Sequence, residues 1–388
     1  MLWALPLRLQ AQAPRMLSDE ARISLLTILP GDAVYSAFGH SAFRVYDPTQ
    51  GIDWTFNYGT FDFQDPLFVP KFIYGKLDYF LSVGDHRAAL RFYRDVEERP
   101  VIEQVLDLDA TQRAAVYTFL ETNAQPENRG YRYDFLFDNC STRLRDVLEQ
   151  ALPGALRFAS TPVPQTSFRH LLDPYVADRP FLDLGFYLVL GTPTDRIPSA
   201  REVVFLPDDL LQAFDAATVE DNGTTRSLVA RKDTLFWIEG TAKPQRAFSW
   251  PFLLFTVGLA VGASGIVRGM NRDKHGRPWG DVVLFGAVGL AGLLLLFMWF
   301  GTEHVVTRYN WNLLWAWPTH LVAAYALART RPAPWLRPYL IVTGVGTLLV
   351  LLGWFWWPQD LHPALLPLLL LLLLRSAWQT RQLTRPTP

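Results

Sequence analysis

The residue of this 388-residue chain best suited to covalent chemistry is Cys140, its only cysteine. It follows Asp138 and Asn139, two good helix caps, and precedes apolar residues at helical spacing: Leu144, Val147, Leu148, Ala151 and Leu152. This pattern predicts Cys140 in the first turn of a helix, where unpaired N–H groups and the helix dipole favour a thiolate. A lone cysteine also excludes intramolecular disulfides and thiolate metal clusters.

A thiolate nucleophile needs a base, and the histidines outside the apolar C-terminal part are His40, His86 and His170. His40 lies in a predicted strand, beside a glycine that permits close approach. The turn sequence Asp47–Gly51 predicts a hairpin with His40 opposite about Gly59, which makes Asn57 a diagonal neighbour on the same face. Cysteine, histidine and a polar orienting residue form the papain-type set, here in the order His, Asn, Cys.

Each of these residues also has a plainer interpretation. Cys140 could be a small buried hydrophobic residue, and His40 a hydrogen-bonded strand histidine. Asn57 fits turn chemistry as well as catalysis, and Asp138 fits a helix cap. Arg143 could be solvated or could face a phosphate head group.

The region around these residues has a mixed α and β pattern. Four β-branched and aromatic stretches predict strands: Ile23–Leu29, Ala37–Tyr46, Asp53–Tyr58 and Val101–Leu108. Asp109 followed by Gln112 predicts a capping box and a helix. Residues 158–248 carry loop-like proline runs and a candidate hairpin in Ser227–Glu239. Residues Trp54–Tyr93 hold 12 aromatics in 40, which suits the protein core or, as the functional alternative, an acyl pocket or a membrane-facing surface.

Hydropathy divides the chain at about Ser249. Five long apolar runs follow, and we interpret them as five spans: Pro251–Val267, Val282–Gly301, Leu313–Leu327, Tyr339–Trp357 and Leu361–Leu374. Basic residues concentrate in alternate loops and in the tail, which places the C-terminus in the cytoplasm and the segment before Ser249 outside it. Residues 1–13 end in Ala11-Gln12-Ala13 and resemble the remnant of a signal peptide. The predicted domains are therefore 14–248, extracytoplasmic, and 249–388, a membrane domain with a cytoplasmic tail.

Three blocks of the chain resemble one family. Phe38–Ala42, Asn57–Phe63 and Phe137–Arg143 look like the signature blocks of the Lnb-type bacterial lipoprotein N-acyltransferases, and Glu303–Trp315 is similar to the membrane part of longer members. The resemblance implies an α+β, permuted papain-like extracytoplasmic domain followed by an all-α helical membrane domain. It also implies that Cys140 is the nucleophile and His40 the base. Asn57 as the third catalytic residue is our geometric inference.

The resemblance implies acyl transfer from a membrane phospholipid, through a Cys140 thioester, to the α-amino group of the lipidated N-terminal cysteine of a bacterial lipoprotein. The protein would be a multi-pass protein of the inner (cytoplasmic) membrane. Further candidates for substrate binding or an oxyanion site are Asn139, Tyr58, Asp138 and Arg143, beside the backbone N–H of Cys140.

Two other functions stay open: a cysteine hydrolase of peptides, amides or lipid esters, and a non-catalytic envelope binding module. A formal charge of −1 argues against a nucleic-acid partner, and no motif for a metal or cofactor is present in the sequence.

Overall fold

A computed structural model describes residues 16–61, 65–76, 78–158, 165–221, 223–238, 245–270, 278–331 and 333–384. The predicted signal remnant and several basic residues of the predicted cytoplasmic loops and tail (Arg272, Lys274, Arg277 and Arg385) lie outside these ranges. The chain divides into two compact units. Unit 1 is made of the described residues of Met1–Phe168 and Ile197–Lys243, and unit 2 of those of Arg169–Arg196 and Pro244–Pro388.

Unit 1 is built on a seven-stranded antiparallel sheet with the spatial order β10-β5-β1-β2-β3-β4-β6. Its strands are β1 (Arg22–Ile28), β2 (His40–Asp47), β3 (Ile52–Thr60), β4 (Asp78–Asp85), β5 (Val101–Leu106), β6 (Gly130–Arg132) and β10 (Val229–Phe236). A small second sheet contains β7 (Leu156–Arg157), β8 (Thr218–Asp221) and β9 (Thr224–Ser227). The four predicted strands are confirmed with shifts of a few residues at their ends.

The predicted hairpin between the second and third strands is confirmed. The β2–β3 register pairs Phe43 with Phe56 and Asp47 with Ile52. Asp47 Oδ1 accepts hydrogen bonds from the N–H groups of Thr49 and Gln50, 3.1 and 3.2 Å away, which fixes the turn. Continued toward the start of β2, this register sets His40 opposite Gly59.

The helices of unit 1 are α1 (Phe68–Ile73), α2 (His86–Asp95), α3 (Ala110–Ala124), α4 (Cys140–Ala151) and α7 (Pro207–Ala216). The predicted capping box of Asp109 and Gln112 opens α3. α4 packs against β2 and β3, so a helix that begins at Cys140 lies on the strands that carry His40 and Asn57.

The predicted hairpin in Ser227–Glu239 is wrong. Most of that segment is the single strand β10, whose partner is β5, and a hairpin just before it joins β8 to β9. The loop-like residues 158–248 also hold α5 (Phe168–Val176), α6 (Pro180–Val189) and α7.

Unit 2 is helical. Besides α6 it contains α8 (Trp250–Met270), α9 (Trp279–Phe300), α10 (His320–Ala328), α11 (Leu336–Leu352) and α12 (Leu365–Gln382). Among the described residues two helices are long and apolar enough to cross a membrane, Trp250–Gly269 and Trp279–Phe300. α11 is apolar but shorter.

The third predicted span differs from the structure. Residues Trp311–Leu314 form a 3₁₀ turn, and α10 begins only at His320. Pro318 explains the late start, because proline disfavours helical backbone in the residue before it and has no N–H to donate. The side chain of Asn310 accepts from the N–H of Asn312 at 3.0 Å and stabilises the turn instead.

Unit 2 also contains residues that the predicted boundary at Ser249 assigned to the extracytoplasmic domain. Backbone carbonyls of the segment Arg169–Arg196 accept hydrogen bonds from side chains of the C-terminal region. Asn312 Nδ2 donates to Tyr187 O at 3.0 Å, and Gln359 Nε2 donates to Leu190 O at 3.1 Å. Hydropathy reflects composition alone, so it could not show that Arg169–Arg196 is hydrogen-bonded to residues beyond Ser249.

Candidate active site

The site begins with the pair His40 and Asn57, carried by neighbouring strands. His40 Nε2 lies 2.6 Å from Asn57 Oδ1, and both residues are half-buried. The amide oxygen can only accept, so Nε2 carries the proton and the other ring nitrogen, Nδ1, is left for the thiol. The side-chain contact that the hairpin predicted between these residues is present.

Cys140 is also half-buried, and its thiol interacts with His40. Burial opposes ionisation of the thiol, but His40, the backbone N–H of Ser41 and the hydroxyl of Ser141 outweigh it and lower the pKa of Cys140. Burial likewise favours the neutral imidazole, but the charge of Cys140 outweighs it and raises the pKa of His40. The two shifts together favour a thiolate beside an imidazolium, the reactive form of a cysteine nucleophile.

A buried hydrogen bond joins the two elements that carry this pair. Ser41 Oγ, next to His40 on β2, lies 3.2 Å from Ser141 Oγ, next to Cys140 on α4. Both serines are 0% exposed. The bond therefore fixes the separation of strand and helix at the position where the nucleophile must meet its base.

Asn139, not Asp138, is the N-cap of α4. Its Oδ1 accepts from the N–H groups of Ser141 and Thr142 at 2.9 and 3.0 Å. Its Nδ2 donates to the carbonyls of Phe135 and Phe205, both at 2.8 Å, and its own N–H donates to Thr142 Oγ1. Every N–H of Asn139 is thus in use, which corrects the prediction that it could donate to an oxyanion.

Asp138 pairs instead with Arg143, one turn along α4. The guanidinium donates two hydrogen bonds to the carboxylate, one of them from Nη2 at 2.6 Å. Burial raises the pKa of Asp138 despite this pairing. Arg143 also lies over the ring of Tyr131, 4.2 Å from its centre. The prediction that Asp138 caps the helix is therefore wrong, and Arg143 is committed to a carboxylate and a ring rather than fully solvated.

Tyr58 is 2% exposed and lies in the core. Its hydroxyl accepts a hydrogen bond from Asn123 of α3 at 2.9 Å, and its ring meets Tyr131 edge to face at 6.1 Å. Burial raises the pKa of Tyr58 to about 12. These contacts give Tyr58 a packing role behind Tyr131.

Gly59 has no side chain and leaves a methyl-sized space beside the reactive pair. A Cβ built on Gly59 would lie 3.9 Å from Cys140 Cβ, 3.9 Å from His40 Cε1 and 4.0 Å from Tyr131 Oη. Its φ of +94° is also a backbone conformation that favours glycine. The nucleophile, the base and a tyrosine hydroxyl thus surround one point that no side chain of the described residues fills.

No pattern in the sequence singles out Tyr131. It lies on β6, a strand of three residues, which is too short to give a periodic signal. His86, the second candidate base, is buried, and its Nδ1 lies 3.1 Å from Thr55 Oγ1. His170, the third, belongs to unit 2.

Two family models match the chain. The model described as the Lnb N-terminal periplasmic domain matches residues 12–173, and that described as the Lnb transmembrane domain matches residues 243–386. No curated protein matches the chain, and no solved structure matches it. The first match contains all three residues of the site, Cys140, His40 and Asn57.

Proposed function

This chain belongs to the Lnb family, as an integral membrane protein with a periplasmic N-terminal domain, and on that premise we propose that it is a lipoprotein N-acyltransferase. The acyl donor is a membrane phospholipid, and the acceptor is the α-amino group of the lipidated N-terminal cysteine of a bacterial lipoprotein. The observation that carries the proposal is the half-buried Cys140–His40 pair, whose opposite pKa shifts favour a thiolate.

In the first step, the Cys140 thiolate attacks an ester carbonyl of the phospholipid. A C–S bond forms and the ester C–O bond breaks. His40 gives its proton to the oxygen of the leaving lysophospholipid and becomes neutral. Asn57 accepts a hydrogen bond from Nε2 of His40 and so keeps the imidazole oriented with Nδ1 toward the reacting atoms.

In the second step, the acceptor amine attacks the thioester carbonyl. Neutral His40 takes a proton from the amine nitrogen as the C–N bond forms, and the C–S bond breaks. This restores the thiolate and the imidazolium. We assign the N–H of Cys140 as a donor to the carbonyl oxygen in both steps, because the first N–H groups of a helix have no partner within the helix.

The fold and the topology are part of the same proposal. A nucleophile at the start of a helix, packed on antiparallel strands that carry the histidine and the asparagine, supports the permuted papain-like assignment. The alternating basic loops support five spans in the inner membrane, with unit 1 outside and the C-terminus in the cytoplasm.

The test is mass spectrometry of the N-terminal peptide of a reporter lipoprotein. Cells that lack other N-acyltransferases would express either the native chain or Cys140→Ala. We expect the peptide to gain the mass of one acyl chain with the native protein and none with the variant.

Two controls make the result decisive. Thermal unfolding of purified Cys140→Ala should match that of the native chain, which shows that loss of activity is not loss of fold. If both proteins accumulate and neither adds mass, N-acyl transfer is excluded. Release of free fatty acid from phospholipid at equal rates with and without a lipopeptide would then assign the site to a hydrolase.

A further inference from the structure

The hydroxyl of Tyr131 is buried, and among the described residues no atom hydrogen-bonds to it. Buried hydroxyl groups nearly always have a partner, because leaving one unpaired is costly. A buried hydroxyl beside a nucleophile that makes no hydrogen bond to the described residues is available to bind an atom of the substrate.

The ring of Tyr131 is held on several sides. Tyr131 pairs with Tyr79 across β4 and β6, Tyr58 meets it edge to face at 6.1 Å, and Arg143 lies over it at 4.2 Å. Its Oη lies 4.0 Å from the point that is 3.9 Å from both Cys140 Cβ and His40 Cε1. The hydroxyl is thus fixed in advance beside the nucleophile and its base.

The hydroxyl also keeps its proton during the reaction. Burial, with the charge of Cys140 adding to it, raises the pKa of Tyr131 well above its ordinary value. It can therefore donate a hydrogen bond but cannot act as a base at neutral pH.

We propose that Tyr131 is a catalytic residue whose O–H donates to the oxyanion of the tetrahedral intermediate, as the second donor beside the N–H of Cys140. This inference rests on the acyl chemistry of the proposed function. When the thiolate adds to an ester carbonyl, the C=O π electrons move to oxygen, and Tyr131 stabilises that oxygen without transferring its proton. When the intermediate collapses, the C–O bond breaks, and His40 gives its proton to the leaving oxygen.

The test compares Tyr131→Phe with the native full-length chain in detergent micelles. p-Nitrophenyl butyrate serves as the ester, and the burst of p-nitrophenol measures acylation of Cys140. Loss of one oxyanion donor should slow acylation about 100-fold. Tyr117→Phe is the matched control, because it makes the same change at a buried tyrosine of α3 and should leave the burst unchanged.

Alkylation by iodoacetamide separates an oxyanion role from a structural one. It is a substitution at carbon that builds no oxyanion, so it reports only the thiolate and its access. We expect Tyr131→Phe to be alkylated at the native rate. The inference is overturned if acylation by Tyr131→Phe is as fast as in the native chain, or if alkylation slows as much as acylation.

This experiment does not depend on the natural substrates. The activated ester needs no phospholipid donor and no lipoprotein acceptor. Suppose that the native chain does not acylate lipoproteins and that Tyr131→Phe abolishes the ester burst. That result would refute the transferase function but support the oxyanion role of Tyr131. If the native chain acylates lipoproteins and Tyr131→Phe keeps the ester burst, the transferase function is supported and the oxyanion role of Tyr131 is refuted.

Discussion

At the scale of single residues, the site depends on a balance between burial and charge. Burial alone would hold Cys140 as a thiol and His40 as a neutral ring, which is the unreactive pair. Each group instead supplies the charge that stabilises the other, and the Ser41 N–H and the Ser141 hydroxyl add hydrogen bonds to the sulfur. Reactivity therefore belongs to the pair and disappears when either partner is removed.

His40→Ala should change the pH dependence of Cys140 alkylation. His40 lowers the pKa of the Cys140 thiol, so in the native chain the thiolate persists at pH values below the ordinary thiol range. Without His40, burial remains as the largest contribution, and it raises the thiol pKa. We expect the midpoint of the iodoacetamide rate against pH to move upward, and the rate at neutral pH to fall. An unchanged midpoint would show that the two groups do not form an ion pair.

The sequence was sufficient for part of this site. Asn57 could be found because the turn after Asp47 fixes the strand register, and a fixed register determines which side chains are neighbours. Asp138 and Asn139 are both good caps, so composition alone could not show which one caps α4. Tyr131 reaches the site only through the pairing of β6 with β4, which no local pattern encodes.

At the scale of elements, the start of α4 depends on Asn139. This 3% exposed side chain caps the helix and also bonds the loop carbonyl of Phe135 and the distant carbonyl of Phe205. One amide thus joins the catalytic helix, the loop before it and a turn some sixty residues later along the chain. The position of Cys140 is consequently set from outside its own helix.

Asn139→Ala should destabilise unit 1 and slow acylation. Loss of an N-cap costs about 1 kcal/mol, and each buried carbonyl left without a donor costs roughly 1 kcal/mol or more. Asp109→Ala is the matched control, because it removes the cap of α3 only, through one hydrogen bond to the Gln112 N–H at 2.8 Å. Thermal unfolding should show a larger loss for Asn139→Ala, and only that variant should lose the ester burst. Equal losses of stability would contradict the linking role of Asn139.

The elements that sequence patterns missed are those with distant partners. β10 pairs with β5, more than a hundred residues earlier, so the alternation of side chains along β10 could not identify its partner strand. α6 is apolar but only ten residues long, which fits neither a span nor a typical surface helix. Local hairpins and capped helices were predictable, because their signals lie within a few adjacent residues.

At the scale of the whole molecule, the chain passes between its two units three times. It leaves unit 1 after Phe168, returns at Ile197, and leaves again after Lys243. The boundary predicted from hydropathy, at about Ser249, corresponds only to the last of these three passages. Truncation near Ser249 would therefore strand Arg169–Arg196 without the side chains of Asn312 and Gln359.

The proposed topology can be tested with single cysteines, because Cys140 is the only native one. In spheroplasts, a membrane-impermeant maleimide should label the native chain at Cys140. In a Cys140→Ser background it should label Pro358→Cys, at an exposed position between α11 and α12, and leave Thr384→Cys unlabelled until the membrane is permeabilised. Labelling of Thr384→Cys in intact spheroplasts would contradict a cytoplasmic tail.

The hydrogen bonds between the Tyr187 carbonyl and the C-terminal region also determine when this part of the chain can fold during synthesis. The two side chains that donate to the carbonyl of Tyr187 are synthesised later: Asn312 lies 125 residues and Gln359 172 residues further along the chain. At about 5–20 residues per second, a ribosome leaves that carbonyl without these donors for on the order of ten seconds. We expect Arg169–Arg196 to be the stretch of the nascent chain most dependent on chaperones and most open to proteases, until the last helix emerges and closes unit 2.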